Sequence, residues 1–443
     1  MKQILIIGAG RSTTSLIQYL EVQSQKYGWE ITVGDMDINL VKEKVAPATR
    51  SIAFDVFNQE QLEAETMRAD LVISMLPASF HPRVAKSCLK YSKSLFTASY
   101  ESEDVIKMAD EVVKKGILFL NEMGLDPGID HMTAMQIIDR IKEDGHLLTG
   151  FESFTGGLVA PESDNNPWHY KFSWNPMNVV LAGQQGPAIF VQEGHYKYIP
   201  YNRLFRRTEL IDIDGFGRFE GYANRNSLIY INKYNLQGIS TIYRGTLRRP
   251  GFSKAWNIFV QLGATDNSYI MKDTENMTNK EFINSFLPYS KHDSVQTKLY
   301  HAMHIDQDSD IIDKLEWLAI FSDEKSGLKN ATPAQMLQHI LSKKWQLEPE
   351  DKDMIVMWHK ISYLEMETKL LKNLSSSLVV TGENSIHTAM SKTVGLPLAI
   401  AAKLYLTGEL RMSGVHIPTT RAIYKPILRE LEEFSIRTSE KEL

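Results

Sequence analysis

The first 127 residues alternate short apolar runs with amphipathic stretches. QILIIGAG at residues 3–10 opens this pattern, and the runs ADLVISMLP, SLFTAS and GILFLNE continue it. Stretches such as FHPRVAKSCLKY and EDVIKMADEVVKK lie between these runs and have helical spacing. Strands that alternate with helices of this length predict a parallel, doubly wound sheet, which holds its ligand outside the C-terminal ends of its strands.

The pattern changes after DPGID. The runs GFESFTGG, LIYINKY, STIYRGTL and AWNIFVQLG predict strands of an antiparallel or mixed sheet, and residues 276–345 predict helices. DMIVMWHKISYLEM and LSSSLVV predict a strand pair that returns to this middle sheet. HTAMSKTVGLPLAIAAKLYLTG and RAIYKPILRELEEF predict two closing helices, with Pro397 in the first turn of the helical stretch around Leu398–Leu406. We therefore expect the end of the chain to belong to the first domain, with the other domains formed by the residues in between.

Composition excludes several classes of protein. The 443 residues suffice for two or three domains, and 43% hydrophobic with 23% charged residues is ordinary for a globular protein. The net charge of −5 does not indicate binding to nucleic acid or to an anionic membrane surface. No run approaches the ~18 apolar residues of a membrane span. No signal-peptide pattern precedes the first strand, so we expect a cytoplasmic protein. Cys88 fits a buried helical position, and no cluster has zinc spacing, so we expect no metal.

Gly8-Ala9-Gly10 follows the first apolar run and leads into a predicted helix. Gly8 permits a tight turn, Gly10 lets a pyrophosphate approach the backbone, and the helix N-terminus attracts the phosphates. The third small position of this fingerprint is Thr13, and the motif alone also fits a glycine turn without a ligand. Asp35 ends the second predicted strand, where a carboxylate binds the adenosine ribose, although it could also cap the next helix.

Two polar clusters follow predicted parallel strands. SYES places Ser99 and Tyr100 where a nicotinamide would lie, although Ser99 or Ser102 could instead cap the N-terminus of the next helix. GLDPGID holds Asp126 extended before a proline, although this segment also suits a domain boundary. His131, which directly follows, is more typical of a structural histidine than of a site.

A third group of candidates lies in the middle of the chain. TGGLVAPESDNNPWHYKFSW at residues 155–174 predicts a shaped loop with buried aromatic side chains. ANRNS and YRGTLRR each place an arginine among strand residues, so Arg225 and Arg244 are candidates for bidentate binding of carboxylates. We expect Arg248 and Arg249 to form surface ion pairs instead.

Five segments together resemble the saccharopine dehydrogenases of the L-glutamate-forming type: NEMGLDPGIDH, GGLVAPESDNNPWHYKFSW, IYRGTLRRPGF, TAMSKTVGLPLAIAAKL and GVHIPT. The resemblance runs from the first strand to the last helix. It implies an α/β fold in which a Rossmann-type parallel sheet is completed by C-terminal helices, beside a mixed-sheet α+β catalytic domain and a small helical subdomain. We assign these to residues 1–127 with 386–443, 128–275 with 346–385, and 276–345.

The resemblance also implies the reaction and its residues. The substrate is saccharopine, a lysine whose ε-nitrogen is joined to the α-carbon of a glutaryl diacid, and NAD(P)-dependent oxidation gives L-glutamate and 2-aminoadipate 6-semialdehyde in lysine metabolism. Substrate contacts carry over onto Ser99, Tyr100, Asp126, Arg225, Arg244, Gly245 and Thr246, with Tyr100 and Asp126 as candidates for catalytic proton transfer. Cofactor contacts are expected at Gly8, Gly10, Arg11, Ser12, Thr13, Asp35, Leu76, Pro77, Leu125, Asp126 and Pro127. We also expect a homodimer.

The chain departs from the family pattern at two places. Thr155 stands where the family usually has a cysteine, so any role of that thiol is absent. Members that use NADP carry a basic residue after the second strand, whereas this chain has VGDMD, with Asp35 and Asp37. A carboxylate there repels a 2′-phosphate, so we favour NAD over NADP as the cofactor.

Two other functions stay open at this point. A related enzyme could process a carboxylated polyamine, such as carboxynorspermidine or carboxyspermidine, on the same scaffold. A non-catalytic nucleotide-binding regulator would have lost the polar residues of the site, which this chain retains.

Overall fold

The computed structural model describes residues 1–306 and 308–443. The elements up to residue 143 are β1 (Gln3–Ile7), α1 (Thr14–Tyr27), β2 (Glu30–Asp35), α2 (Ile38–Lys42), β3 (Arg50–Ala53), α3 (Gln59–Arg68), β4 (Leu71–Ser74), α4 (His81–Lys90), β5 (Ser94–Thr97), α5 (Glu103–Ile106), α6 (Ala109–Lys114), β6 (Leu118–Leu120) and α7 (Ile129–Glu143). Those that follow up to residue 344 are β7 (Leu147–Val159), α8 (Pro176–Val180), β8 (Ala188–Gln192), β9 (His195–Ile199), α9 (Tyr201–Leu204), β10 (Thr208–Ile213), β11 (Gly217–Ala223), α10 (Ile229–Lys233), β12 (Thr241–Arg248), α11 (Phe252–Leu262), α12 (Asn279–Asn284), α13 (Val295–Met303), α14 (Asp310–Trp317) and α15 (Pro333–Lys344). The last are β13 (Asp353–Leu364), β14 (Leu371–Thr381), α16 (Ala389–Thr407), β15 (Gly414–His416), α17 (Arg421–Leu431) and β16 (Ser439–Glu442).

The chain folds into two compact units. The first comprises Met1–Leu148, Tyr363–Lys372 and Leu378–Leu443, and the second comprises Thr149–Ser362 and Asn373–Ser377. The first boundary therefore lies at residue 148 rather than at the expected 127, because α7 packs against α17 within the first unit. Residues 276–345 fall inside the second unit, and their status as a separate subdomain stays a prediction.

The first unit contains the predicted parallel sheet. Its strands lie in the order β15-β6-β5-β4-β1-β2-β3, and each neighbouring pair is parallel. The central strands are apolar runs that are buried along their whole length, as expected for a sheet covered on both faces. This order, with β1 beside β4, is that of the Rossmann fold, so the ligand belongs at the C-terminal ends of the strands near β1.

Elements from the end of the chain complete this unit. β15 adds a parallel strand beside β6, and α16 packs along α1. A Cβ at Gly395 would come within 2.8 Å of the backbone nitrogen of Leu16, so the two helices touch where only glycine fits. Pro397 was expected in a first helical turn, but α16 begins at Ala389 and Pro397 lies inside the helix. Packing against α1 holds this helix despite the missing backbone donor.

The second unit contains a mixed sheet. β10, β11, β12, β7, β13 and β14 follow one another, with β7 parallel to β12 and the β10–β11–β12 pairs antiparallel. The hairpin of β8 and β9 joins at β12. Two predicted strands are helices instead: LIYINKY contains α10, and AWNIFVQLG lies in α11. The Glu220 carboxylate accepts hydrogen bonds from the backbone of Gly251 (3.0 Å) and Ser253 (2.5 Å), which caps the first turn of α11.

The segment predicted as a loop at residues 155–174 begins inside β7, which ends at Val159, and the rest of it contributes to an aromatic core in the second unit. Trp168, Tyr170 and Phe172 are buried, and the ring of Trp345 lies 5.2 Å from Trp168 and 5.0 Å from Tyr170. The surface ion pair expected for Arg248 is wrong. This side chain is 4% exposed, and its guanidinium lies 5.0 Å from the Tyr170 ring, because the aromatic core covers this end of β12.

Three further observations concern membrane crossing, metal binding and the single cysteine. Among the helices of residues 1–306 and 308–443, none has the length and apolar character that a membrane crossing requires. The same residues contain no group of three or more His, Cys, Asp or Glu side chains that could hold a metal ion. Cys88 is fully buried, and burial raises the pKa of its thiol.

Candidate active site

The glycine turn after β1 has the geometry that a dinucleotide requires. Gly8 has a φ of 106°, and a Cβ there would lie 2.9 Å from the carbonyl oxygen of Met75. A Cβ at Gly10 would meet nothing within 4 Å, so the backbone there faces open space. Thr13, the unusual third residue of the motif, closes the turn by donating its hydroxyl to the Gly10 carbonyl at 2.7 Å. The turn therefore fits a pyrophosphate beside the start of α1.

Asp35 lies at the end of β2, as predicted, and supports the glycine turn. One carboxylate oxygen accepts a hydrogen bond from the backbone of Ala9 at 2.7 Å, and the other accepts one from Asp37 at 3.0 Å. Asp37 caps α2, so this alternative role does not fall on Asp35. Lys44 was not predicted, and its ammonium donates to the carbonyl of Gly10. Burial lowers the pKa of Lys44 to about 8, against the opposing effect of Asp35.

The remaining predicted cofactor residues lie at the same ends of the parallel strands. Arg11, Ser12 and Thr13 follow the glycine turn, and burial lowers the pKa of Arg11. Leu76 and Pro77 follow β4, just before a short turn of 3₁₀ helix at Ala78–Phe80. Leu125 and Pro127 flank Asp126 in the loop after β6.

Tyr100 and Asp126, the predicted catalytic pair, are brought together by two neighbouring strands. Tyr100 follows β5, Asp126 follows β6, and the Tyr100 hydroxyl donates to the Asp126 carboxylate at 3.0 Å. Gly128 shapes the second loop, because a Cβ there would overlap the carbonyl of Gly124 at 1.9 Å. Both side chains are half-buried, so a proton can pass between a tyrosine hydroxyl and a carboxylate at the ligand end of the sheet.

A buried histidine and a buried glutamate, His131 and Glu122, lie next to these two loops. The His131 imidazole is 2.7 Å from the Glu122 carboxylate, and both residues are buried. Glu122 also accepts from the backbone of Glu101 at 3.1 Å, and its own backbone donates to the Ser99 carbonyl at 3.0 Å. His131 therefore has the structural role predicted for it, and the pair ties the loop of Ser99 and Tyr100 to the loop of Asp126.

The predicted arginines lie in the second unit. Arg244 is 6% exposed, and the central carbon of its guanidinium lies 4.1 Å from the ring centre of Tyr230, within the range of a cation–π contact. Its carbonyl accepts from Asn224 at 2.9 Å, next to Arg225, an exposed residue with a φ of 53°. Backbone strain of this kind clusters at functional sites.

Gly245 and Thr246 continue β12 after Arg244. A Cβ at Gly245 would lie 2.2 Å from the Phe154 ring, so the strand needs glycine there. Lys171, a third buried cation of this unit, forms an ion pair with Asp351 at 2.6 Å. Its charge is therefore already balanced within the second unit.

The sequence did not reveal two residues of the first unit. Lys44 follows the short helix α2, beyond the positions where a basic residue was sought. His81 contacts Ser99 at 2.8 Å, and the signal that could have found it is its place shortly after β4, at the ligand end of the sheet.

A glycine turn that fits a dinucleotide and the hydrogen-bonded pair of Tyr100 and Asp126 lie at one edge of a parallel sheet, which is the architecture of Rossmann-type dinucleotide-binding proteins. The chain belongs to the saccharopine dehydrogenase family. The family model of the saccharopine dehydrogenase NADP binding domain matches residues 4–120, and that of the saccharopine dehydrogenase C-terminal domain matches residues 124–436.

Individual relatives agree with this family. The chain is 34% identical over 440 residues to the mitochondrial alpha-aminoadipic semialdehyde synthase of Mus musculus, with 97% of this chain and 47% of that protein covered. It is 32% identical over 461 residues to the saccharopine dehydrogenase (NADP(+), L-glutamate-forming) of Pyricularia oryzae, with 99% of both covered. The chain thus spans about half the length of the first relative. The solved saccharopine dehydrogenase (L-Glu forming) of Saccharomyces cerevisiae matches all of both chains with a TM-score of 0.88 at 29% identity.

Proposed function

We propose that this chain oxidises saccharopine to L-glutamate and 2-aminoadipate 6-semialdehyde, with water and NAD(P)⁺ consumed and a proton released. The observation that carries the proposal is the 3.0 Å hydrogen bond between Tyr100 and Asp126 at the ligand end of the dinucleotide-binding sheet. The names of the full-length relatives support the choice of substrate.

Each candidate residue has a separate role in the proposed reaction. When bound, the nicotinamide supplies the acceptor for the hydride that leaves the lysine ε-carbon. Arg225 and Arg244 bind carboxylates of the substrate, which has three, because a guanidinium matches a carboxylate in charge and hydrogen-bonding geometry. Tyr100 and Asp126 take the proton of the water that adds to the substrate imine and return one to the departing nitrogen.

Product analysis tests this reaction. Purified protein, saccharopine and each oxidised dinucleotide should give glutamate and the semialdehyde in equal amounts, with a matching rise in nicotinamide absorbance. Lysine and 2-oxoglutarate as products would place hydride removal on the glutaryl side and contradict the proposal. Faster turnover of carboxynorspermidine than of saccharopine would favour the polyamine alternative, and no turnover of either would favour the regulator.

The preference for NAD has no support from the comparisons, since the family model and the full-length relatives are named for NADP. We propose that Lys44 accommodates the 2′-phosphate of NADP. Its ammonium donates to the Gly10 carbonyl and is close enough to Asp35 to interact with it electrostatically, so Lys44 supplies near this turn the positive charge that VGDMD lacks. Both oxygens of Asp35 already accept backbone hydrogen bonds, which lessens the carboxylate's repulsion of a phosphate.

Nucleotide fragments test this without catalysis. Adenosine 2′,5′-bisphosphate and 5′-AMP differ by the 2′-phosphate alone, so calorimetric titration of both isolates its contribution. Lys44→Ala should weaken binding of the bisphosphate by roughly tenfold or more, as expected for loss of a charged hydrogen bond, and leave 5′-AMP unchanged. Lys42→Ala, an exposed neighbour, is the matched control. Equal binding of both nucleotides by the unmodified protein would restore the preference for NAD.

The homodimer and the cytoplasmic location stay predictions. Size-exclusion chromatography with light scattering measures the first directly, and cell fractionation measures the second.

A further inference from the structure

We propose that His81 is a positioning residue, which orients the hydroxyl of Ser99 for contact with the substrate. The inference rests on the proposed function, because it takes Ser99 as a substrate contact. His81 was not among the predicted site residues and does not itself belong to the Tyr100–Asp126 pair.

The geometry is a chain of hydrogen bonds across the ends of two neighbouring strands. His81 begins α4 and is 3% exposed. Its Nδ1 lies 2.9 Å from the hydroxyl of Ser74, at the end of β4. Its Nε2 lies 2.8 Å from the hydroxyl of Ser99 and 3.2 Å from that of Thr97, at the end of β5. The imidazole therefore connects the buried strand ends to Ser99.

The backbone of Ser99 is already fixed without His81. Its N–H donates to the Thr97 hydroxyl at 3.2 Å, and its carbonyl accepts from Glu122 at 3.0 Å. The freedom that is left is rotation of the Ser99 hydroxyl, and the contact with His81 removes it. A hydroxyl held in one direction loses less entropy when a ligand binds than a rotating one.

The imidazole stays uncharged through the range in which enzymes are assayed. Burial lowers the pKa of His81 to about 4. A neutral ring has one donor and one acceptor nitrogen, so the imidazole can hold the Ser99 hydroxyl by a hydrogen bond without a change of charge in this range. The half-buried Ser99 hydroxyl keeps hydrogen-bonding capacity for a ligand.

The same geometry argues against proton conduction through His81. Ser74, at the far end of the chain, is fully buried within the strand layer. A proton passed from Ser99 through the ring would stop there instead of reaching solvent. We therefore assign the chain an orienting role and leave proton transfer to Tyr100 and Asp126.

A double-mutant cycle between His81 and Ser99 tests the inference. His81→Phe keeps a ring of similar volume but removes both hydrogen bonds, and we expect it to raise the KM for saccharopine by roughly tenfold, with kcat changed less than about threefold. Ser99→Ala should raise the KM by a similar factor. The double variant should match Ser99→Ala alone, because His81 acts only through the hydroxyl that is missing.

Two further variants separate orientation from general damage. His81→Gln retains a donor and an acceptor, so its KM should lie between those of the unmodified protein and of His81→Phe. If His81→Phe unfolds at a lower temperature than the unmodified protein, His81→Gln takes its place in the cycle. Ser87→Ala alters another buried residue of α4, one whose hydroxyl has no partner within the described residues, and should leave the KM unchanged.

Each outcome decides between the two proposals. If His81→Phe or His81→Gln raises the KM by the same factor with and without Ser99, or lowers kcat alone, the positioning role is wrong while saccharopine oxidation stands. The same holds if Ser99→Ala leaves the KM unchanged. An unmodified protein that does not turn over saccharopine overturns the proposed function first, and the inference with it.

Discussion

At the scale of single residues, the hydrogen bond between the Tyr100 hydroxyl and the Asp126 carboxylate is the contact to which the proposed function assigns proton transfer. Tyr100→Phe should lower kcat by about 100-fold or more, the contribution typical of general acid–base catalysis, with a smaller change in KM. Steady-state kinetics with saccharopine measures both. Tyr91→Phe, which removes a hydroxyl bonded to Glu63 away from the site, is the control and should retain full activity. A Tyr100 variant with unchanged kcat would assign proton transfer to another group.

Lys44 predicts a pH dependence for binding of the 2′-phosphate. Burial lowers the pKa of Lys44 in the protein without a bound nucleotide to about 8, with Asp35 and Glu43 raising this pKa and Arg11 lowering it. A bound phosphate stabilises the ammonium and raises this pKa, so the attraction is complete below about pH 8 and is lost as the pH rises above it. Calorimetry near pH 7 and near pH 9.5 should show about tenfold weaker binding of adenosine 2′,5′-bisphosphate at the higher pH. Lys44→Gln should abolish most of this difference.

Residues that act through local backbone geometry were predictable, and residues that depend on folding were not. Gly8 and Asp35 follow from a strand that ends in a turn, because the motif itself fixes their positions. The burial of Arg248 depends on rings from Tyr170 and Phe252, which come from separate segments, so its sequence neighbourhood gave the wrong environment. Lys44 was not predicted for the same reason, because its contact with Gly10 depends on the chain after α2 returning to the glycine turn.

At the scale of elements, the parallel strands were predicted best and the two aromatic-rich helices worst. Short apolar runs that alternate with amphipathic stretches usually fold into a parallel sheet covered by helices, and the strands around β1 form such a sheet. LIYINKY and AWNIFVQLG are rich in β-branched and aromatic residues, which favours strands. The helix α11 is nevertheless capped by Glu220 from β11, and a contact with a distant segment cannot be predicted from the residues of the helix itself.

The contact between α1 and α16 gives a prediction at this scale. Gly395→Ala places a Cβ 2.8 Å from the backbone of Leu16, so the helices must separate, and we expect a loss of about 1–3 kcal/mol in the free energy of unfolding. Urea denaturation followed by circular dichroism measures it. Thr407→Ala at the end of the same helix should change this free energy by less than about 0.5 kcal/mol. Equal stabilities of the two variants would show that the helices adjust without cost.

At the scale of the molecule, the first unit depends on segments from both ends of the chain. Cutting after Glu383 removes α16, β15 and α17, which cover α1, extend the sheet beside β6 and pack on α7. We expect the truncated protein to be insoluble, or soluble without affinity for the dinucleotide, because the apolar surface beneath these elements is exposed. Expression trials with fluorescence titration of NADPH provide the measurement. A soluble fragment with unchanged affinity would show that the first unit folds and binds the dinucleotide without α16, β15 and α17.

The pairing of β15 with β6 has a consequence for how the protein is made. A ribosome releases β6 long before it releases β15, and at ~5–20 residues per second the interval is tens of seconds. During that time the nascent sheet has an open edge at β6, where another chain could pair. Chaperones that bind nascent polypeptides should therefore associate with this protein until translation of β15 is complete.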